Sequence, residues 1–112
     1  MAKRKCNAKW GIPSTVVTVV CSICSDYARR KSEIGYGTTS EDVLDECKRL
    51  NAVIEGALED IEIGIRWVIF DDITCRRGYV FSPCSAIIAK NTYYKRKRKL
   101  IHDIAIGLHL IA

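Results

Sequence analysis

The chain closes on NTYYKRKRKLIHDIAIGLHLIA, Asn91 to Ala112. Whether its five consecutive basic residues form a tail or lie inside a helix decides how the rest is read. At about 100° per residue, Leu100, Ile101, Ile104, Ala105 and Leu108 gather on one side, and Tyr93 and Tyr94 extend that side toward the start. Thr92, Lys95, Lys99, His102 and Ile106 fall opposite, with Arg96 and Arg98 on the flanks. The segment therefore reads as a long helix whose second half anchors in a core and whose first half exposes charge. Lys97 alone falls on the apolar side, where its stem can lie along Tyr93 while the ammonium reaches out. Five like charges in a row repel one another, so an anionic partner is expected to compensate them. A helix held at one end can present such a surface rigidly to a major groove, whereas a tail attracts phosphate without reading bases.

The residues just before support this reading. Ser82 followed by Pro83 is a helix opening, a capping hydroxyl with proline at the first helical position, and a short helix is expected to run to about Ala89. Lys90 and Asn91 then form a tight connection, and Asn91 or Thr92 can cap the final helix. Short helix, turn and longer helix over about 82–108 make a candidate helix-turn-helix. Arg and Lys side chains from 95 to 99 can bond guanine edges, and Asn91 and Thr92 can contact adenine, thymine or a phosphate.

Farther toward the N-terminus, Val16, Val20, Ile23, Tyr27 and Ile34 recur at three, four or seven residues, which predicts one helix over about 14–34 despite the β-branched run TVVTVV. Gly35 and Gly37 break it. Thr39 or Ser40 can cap a second helix whose first turn holds Glu41 and Asp42, suited to the helix dipole. That helix carries Val43, Cys47, Leu50, Ile54, Leu58 and Ile61 on one stripe. A third, with Ile65, Val68, Ile69 and Ile73, continues from it or begins after a bend near Gly64. It ends at CRRG, where Gly78 can take the left-handed C-terminal position. Residues 1–13 read as an extended basic arm carrying Lys3, Arg4 and Lys5. The fold expected is all-α, a small helical bundle with a C-terminal helix-turn-helix, the arm at 1–13 and one DNA-binding domain at 14–112.

At 112 residues, with 48% apolar content, the chain is long enough for one domain with a modest core. Its net charge of +5 is unevenly spread. Residues 1–36 hold seven Lys/Arg against two acids, residues 37–72 three against ten, and residues 73–112 eight against one. Basic ends favour a polyanion such as nucleic acid. If about five cations neutralise phosphates, the salt slope is near −4.5, a roughly 500-fold loss of affinity between 50 and 200 mM salt.

The run from Val16 to Cys24 resembles a signal peptide only superficially: it lacks Leu, is laced with Thr, Ser and Cys, and supplies much of the expected core. No stretch approaches the roughly 20 apolar residues of a membrane span, and a soluble cytoplasmic protein is expected. Six cysteines (Cys6, Cys21, Cys24, Cys47, Cys75, Cys84) then read mostly as reduced thiols in the core; Cys21 and Cys24 form a CxxC without a second ligand pair at zinc spacing. Enzyme chemistry finds little to work with. Asp71 and Asp72 are adjacent on a helix and point about 100° apart, His102 is expected to point away from Asp103, and no Ser or Cys sits in a nucleophile motif. No catalytic residue, metal or cofactor is expected.

The segments PSTVVTVV, DYARRKSEI, RLNAVIEGALEDI, RGYVFSP and TYYKRKRKLIHDIAIGLHLI, spread over most of residues 13–112, resemble the small transcriptional regulators of phages and prophages of Gram-positive bacteria, the RinA and ArpU-like group. The most specific part is TYYKRKRKLIHDIA, which is similar to the last helix of a helix-turn-helix like the promoter-reading domain of sigma factors. The resemblance implies activation of late phage genes, such as those for packaging and morphogenesis, in a bacterial cytoplasm. It also implies that Thr92, Tyr94, Lys95, Arg96 and Lys99 meet DNA. The chain departs from the pattern in SPCSAIIAKN, which lacks a glycine in the turn, and in its six cysteines.

The expected partners are double-stranded DNA, contacted through Asn91, Thr92, Tyr94, Lys95, Arg96, Arg98 and Lys99 together with Lys3, Arg4 and Lys5, and host RNA polymerase, contacted through the acidic second helix. A homodimer would place half-sites one helical turn apart. A packaging adaptor of the small-terminase type, or a protein-interaction module docking through LHLIA, are the alternatives.

Overall fold

The structure, a computed structural model, describes residues 8, 9, 11–37 and 40–111. The arm cations Lys3, Arg4 and Lys5, together with Cys6 and Thr39, lie outside them. A minimal antiparallel ribbon, β1 (Ala8–Lys9) and β2 (Ile12–Pro13), turns at Gly11 with a φ of 78° and leads into α1 (Ser14–Ser25). Then come α2 (Tyr27–Tyr36), α3 (Glu41–Leu58), α4 (Ile63–Thr74) and α5 (Lys90–Gly107). The bundle is all-α, as the periodicities predict.

The single helix expected over 14–34 is two helices with a break at Asp26. The break is braced by Arg30 of α2 and Asn51 of α3. The Arg30 guanidinium, buried to 3% exposure, donates to the Ile23 carbonyl (2.6 Å) and to Asn51 Oδ1 (2.7 Å), while Asn51 Nδ2 donates to the Tyr27 carbonyl (3.4 Å). These two side chains thus brace both sides of the break, adding to the Asp26 N–H that the Ile23 carbonyl also accepts (3.2 Å).

α3 follows the sequence closely. Ser40 caps it, its side chain accepting from the Val43 N–H, and Glu41 and Asp42 occupy the first turn. Cys47, Ile54 and Leu58 are buried on its stripe, and Ile61 continues into the core, whereas Val43 is exposed. The bend to α4 falls at 59–62, just ahead of Gly64. α4 is apolar over most of its surface because it packs against α1, α3 and α5.

The end of α4 departs from expectation. Arg76, with a φ of 58°, takes the left-handed position, and Gly78 is extended (φ −93°, ψ −180°). Arg77 N–H bonds the Asp72 carbonyl (2.8 Å) and Arg76 N–H the Ile73 carbonyl (3.4 Å), the Schellman pattern two residues earlier than the glycine would put it. The Arg77 side chain, which reaches back to Asp71 and Asp72, fixes that register. α5 ends the same way, with His109 at a φ of 61° and Leu110 N–H on the Ala105 carbonyl (2.9 Å).

Between α4 and α5 run two short 3₁₀ turns, Tyr79–Phe81 and Pro83–Ala86. Ser82 does cap the second, accepting from Cys84 N–H (3.1 Å), with Pro83 at its first position. The α-helix expected to reach Ala89 does not form: the segment closes as a 3₁₀ turn with one further bond, Ile88 N–H to the Cys84 carbonyl (2.9 Å), and the Tyr79 hydroxyl donates to the Ile88 carbonyl (2.7 Å) where the chain leaves it. α5 accordingly starts at Lys90 with Ala89 as its cap and no side-chain cap bond. Asn91 and Thr92, expected as caps, sit inside its first turn instead.

Val20, Cys21, Cys24, Ile54, Leu58, Ile61, Ile65, Ile69, Ile73, Tyr93, Leu100, Ile101 and Ile104 build the core. Leu108 and Ile111 lie half-buried against it, so part of the apolar C-terminus covers the bundle. Gly107 lets α5 settle on α3: a Cβ there would stand 2.6 Å from Val53 Cγ1. Cys21, Cys24, Cys47 and Cys84 are buried and Cys75 is exposed. Burial, reinforced by neighbouring Cys21, pushes the Cys24 thiol up to about 12. Among the described residues, no helix is long and apolar enough to cross a membrane.

Candidate nucleic-acid interface

The basic block of the sequence lies in the first half of α5, and what holds that half in place is a buried polar cluster. Asp72, with no exposed surface, accepts from the Tyr93 hydroxyl (2.8 Å) and from Arg77 Nε (2.6 Å), and a second Arg77 nitrogen donates to Asp71 (2.7 Å). Buried beside that carboxylate, the Tyr93 phenol is held well above its ordinary range, first by loss of solvent and then by the hydrogen bond itself. Tyr93 in turn stacks with Tyr79 (ring centroids 5.3 Å) and meets Tyr94 edge-on (5.0 Å). The Tyr79 hydroxyl, on the Ile88 carbonyl, ties the 3₁₀ segment to the start of α5.

Lys97 behaves as the helical wheel suggests. Its ammonium donates to the Arg77 carbonyl (2.7 Å) and lies 5.5 Å from the Tyr93 ring centroid and 6.0 Å from that of Tyr94. Its charge is thereby turned toward the end of α4. Tyr94 also belongs to the packed side: half-buried, it accepts from the Tyr79 N–H (3.4 Å).

The remaining basic residues divide into two groups. Arg96 and Lys99 lean toward the 59–62 bend. Arg96 forms a two-pronged pair with Glu62, Nε to Oε1 and a terminal nitrogen to Oε2, each 2.9 Å. Lys99 pairs with Asp103 (2.8 Å) and approaches Asp60 (3.6 Å). The Arg96 guanidinium, helped by a backbone hydrogen bond, holds the Glu62 carboxyl down at about 2. His102, expected to turn from Asp103, has Nδ1 3.4 Å from Asp103 Oδ1, because a side chain one position on can reach sideways over the helix surface.

Asn91, Lys95 and Arg98 form the second group. All three are exposed, and at successive spacings of four and three residues they make one outward ridge that half-buried His102 continues. Thr92, half-exposed, borders it, and Lys90 stands exposed at the helix start. No acidic residue occupies the first turn of α5, in contrast to Glu41 and Asp42 in α3. Positive side chains thus crowd the positive end of a helix dipole, an arrangement that an approaching anion relieves.

Of the residues singled out in the sequence, the structure brings Asn91, Lys95 and Arg98 together on one face with Thr92 at its margin, turns Arg96 and Lys99 to a flank, and packs Tyr94 inward. Asp72 and Glu62 have no part in the sequence reading of the site. For Asp72 a signal exists: it falls on the buried spacing of Ile65 and Ile69. For Glu62 none does, because its partner lies 34 residues away.

No protein-family model matches the chain, and no curated protein and no solved structure matches it either.

Proposed function

We propose that the chain is a sequence-specific double-stranded DNA-binding regulator of phage or prophage late genes, and not an enzyme, with α5 as its reading helix. The carrying observation is the division of α5: Tyr93, Leu100, Ile101 and Ile104 are buried, while Asn91, Lys95 and Arg98 form an exposed ridge on the opposite side. A reading helix needs both a fixed axis and an outward face with donors for base edges. In this reading the Pro83–Ala86 turn stands where the first helix of a helix-turn-helix would. The basic arm adds phosphate contacts, and the bacterial cytoplasm is the site of action.

The deciding experiment is selection of bound duplexes from a random-sequence library at about 150 mM salt. A defined motif is expected to enrich, its symmetry reporting whether a homodimer binds. The double variant Lys95→Ala/Arg98→Ala is expected to lose that enrichment while keeping its thermal midpoint. Absence of duplex binding at any salt concentration sinks the proposal.

Glu41, Asp45 and Glu46, exposed on the N-terminal part of α3, are the surface we assign to host RNA polymerase. Charge reversal there is expected to abolish reporter activation without loss of DNA binding; unchanged activation removes that partner. One observation favours a second reading, a packaging adaptor or protein-interaction module: Val80, Phe81 and Ile87 are large apolar side chains at 75%, 79% and 63% exposure. A light-scattering mass far above a dimer selects the adaptor.

A further inference from the structure

Six charged side chains, Glu59, Asp60, Glu62, Arg66, Arg96 and Lys99, line a groove at one edge of α5. The acidic wall of this groove is built to stay in place. Ile61, 1% exposed, plugs the 59–62 bend into the core, and the Arg66 guanidinium donates two hydrogen bonds to the Ile61 carbonyl (2.9 and 2.7 Å). The carboxylates on either side of Ile61 are therefore presented outward from a fixed backbone. Glu62 meets Arg96 through both oxygens, the fork geometry with which a guanidinium also grips a phosphate. Lys99 is held by Asp103 on α5 itself (2.8 Å), and Asp60 adds a second, longer contact to its ammonium (3.6 Å).

We infer that Glu62 and Asp60 are specificity-determining residues: they occupy Arg96 and Lys99 as backbone phosphates would, and so suppress binding that depends on phosphate alone. The inference rests on the reading of α5 as the DNA-facing helix. Its physical logic is competition. A cation already paired with a carboxylate releases fewer counterions when DNA arrives, so Arg96 and Lys99 contribute little to affinity for arbitrary sequence. Both pairs are solvent-exposed, with Glu62 58% and Asp60 60% accessible, so a duplex seated by correct base contacts along Asn91, Lys95 and Arg98 can displace them at small cost. The acidic bend thus widens the gap between specific and non-specific binding.

The test measures anisotropy of a labelled random-sequence duplex across a salt series with wild type, Glu62→Gln, Glu59→Gln and Arg96→Gln/Glu62→Gln. Glu59→Gln removes one negative charge from the same bend, but among the described residues its side chain makes no ion pair, whereas Glu62 pairs with Arg96, so it controls for net charge. Glu62→Gln is expected to steepen the salt slope by about 0.9 and to tighten non-specific binding roughly fivefold at 150 mM, the share of one released cation. Glu59→Gln is expected to leave the slope unchanged, and the double variant to return it to the wild-type value. Wild-type binding with Glu62→Gln indistinguishable from Glu59→Gln overturns the inference and leaves the DNA reading standing. No binding by any of the four proteins overturns both.

Discussion

Two carboxylate–guanidinium pairs stand at the two ends of α4, and both bear on the first half of α5. Asp72, in the last turn, has no exposed surface and joins Arg77 and Tyr93; Glu62, just ahead of the first turn, is 58% exposed and joins Arg96. Their bond lengths are similar, 2.6 and 2.9 Å, but their surroundings are opposite. Water around Glu62 offers an alternative to each of its bonds, so the pair can open and exchange partners. Around Asp72 there is no such alternative, and opening strands a buried charge. The difference teaches that solvent access, more than contact geometry, separates a joint that fixes a helix from one that can yield to a ligand.

The largest expected effect breaks the buried member. Asp72→Ala leaves the Tyr93 hydroxyl without its strongest partner and removes the Arg77 anchor, a loss of about 3 kcal/mol. For a domain of this size that lowers Tm by about 10 °C or more, readable by circular dichroism. A Tm within a few degrees of wild type would mean that the cluster does not hold α5. Tyr93→Phe, which deletes one hydroxyl and keeps the ring stacking, is expected to cost about 2 kcal/mol, less than Asp72→Ala. If it costs more, stranding the buried Asp72 carboxylate without the phenol is worse than removing the carboxylate itself.

At the exposed member the comparison predicts near silence. Glu62→Gln is expected to leave Tm within a degree or so of wild type, as exposed pairs contribute little. A drop as large as that of Tyr93→Phe would erase the distinction between the two sites. The smallest effect is a titration. With Arg96 and the local backbone hydrogen bond holding the Glu62 carboxyl near 2 against an ordinary 4.5, whatever the pair adds to stability is present above pH 4.5 and lost as pH falls toward 2. Carbon-detected NMR should place its midpoint near 2 in wild type and higher in Arg96→Gln, where only the backbone hydrogen bond still lowers it; equal midpoints would show that Arg96 does not set it.

The parts of the fold legible in the sequence are those governed by local periodicity. α3 announces itself through Ser40, two acids and a sustained apolar stripe, and the outward placement of Lys95 follows from the helical wheel, which sets Arg98 on a flank and Lys99 outward. What the sequence conceals depends on partners distant along the chain. The brace at Asp26 joins Arg30 to Asn51, the segment before α5 is tied by the Tyr79 hydroxyl on Ile88, and the turning of Arg96 needs Glu62. The left-handed turn at Arg76 is hidden for a related reason: an available glycine two residues on is the better local candidate, and the reach of Arg77 to Asp72 overrides it. The 3.6-residue period also says which side of α5 is outward without saying which outward charges are already engaged.

The contact of Gly107 with Val53 makes α5 a lever. Its fulcrum is a single missing methyl, set against a β-branched side chain that has little freedom to move aside. Lys95 rides twelve residues up the helix, about 18 Å away. A tilt of roughly 10° at the fulcrum sweeps it through about 3 Å, nearly the roughly 3.4 Å from one base pair to the next. An uncharged position at the far end of the helix therefore bears on the alignment of the whole ridge, and in the reading proposed above a methyl group added there would shift which step of a duplex each side chain faces.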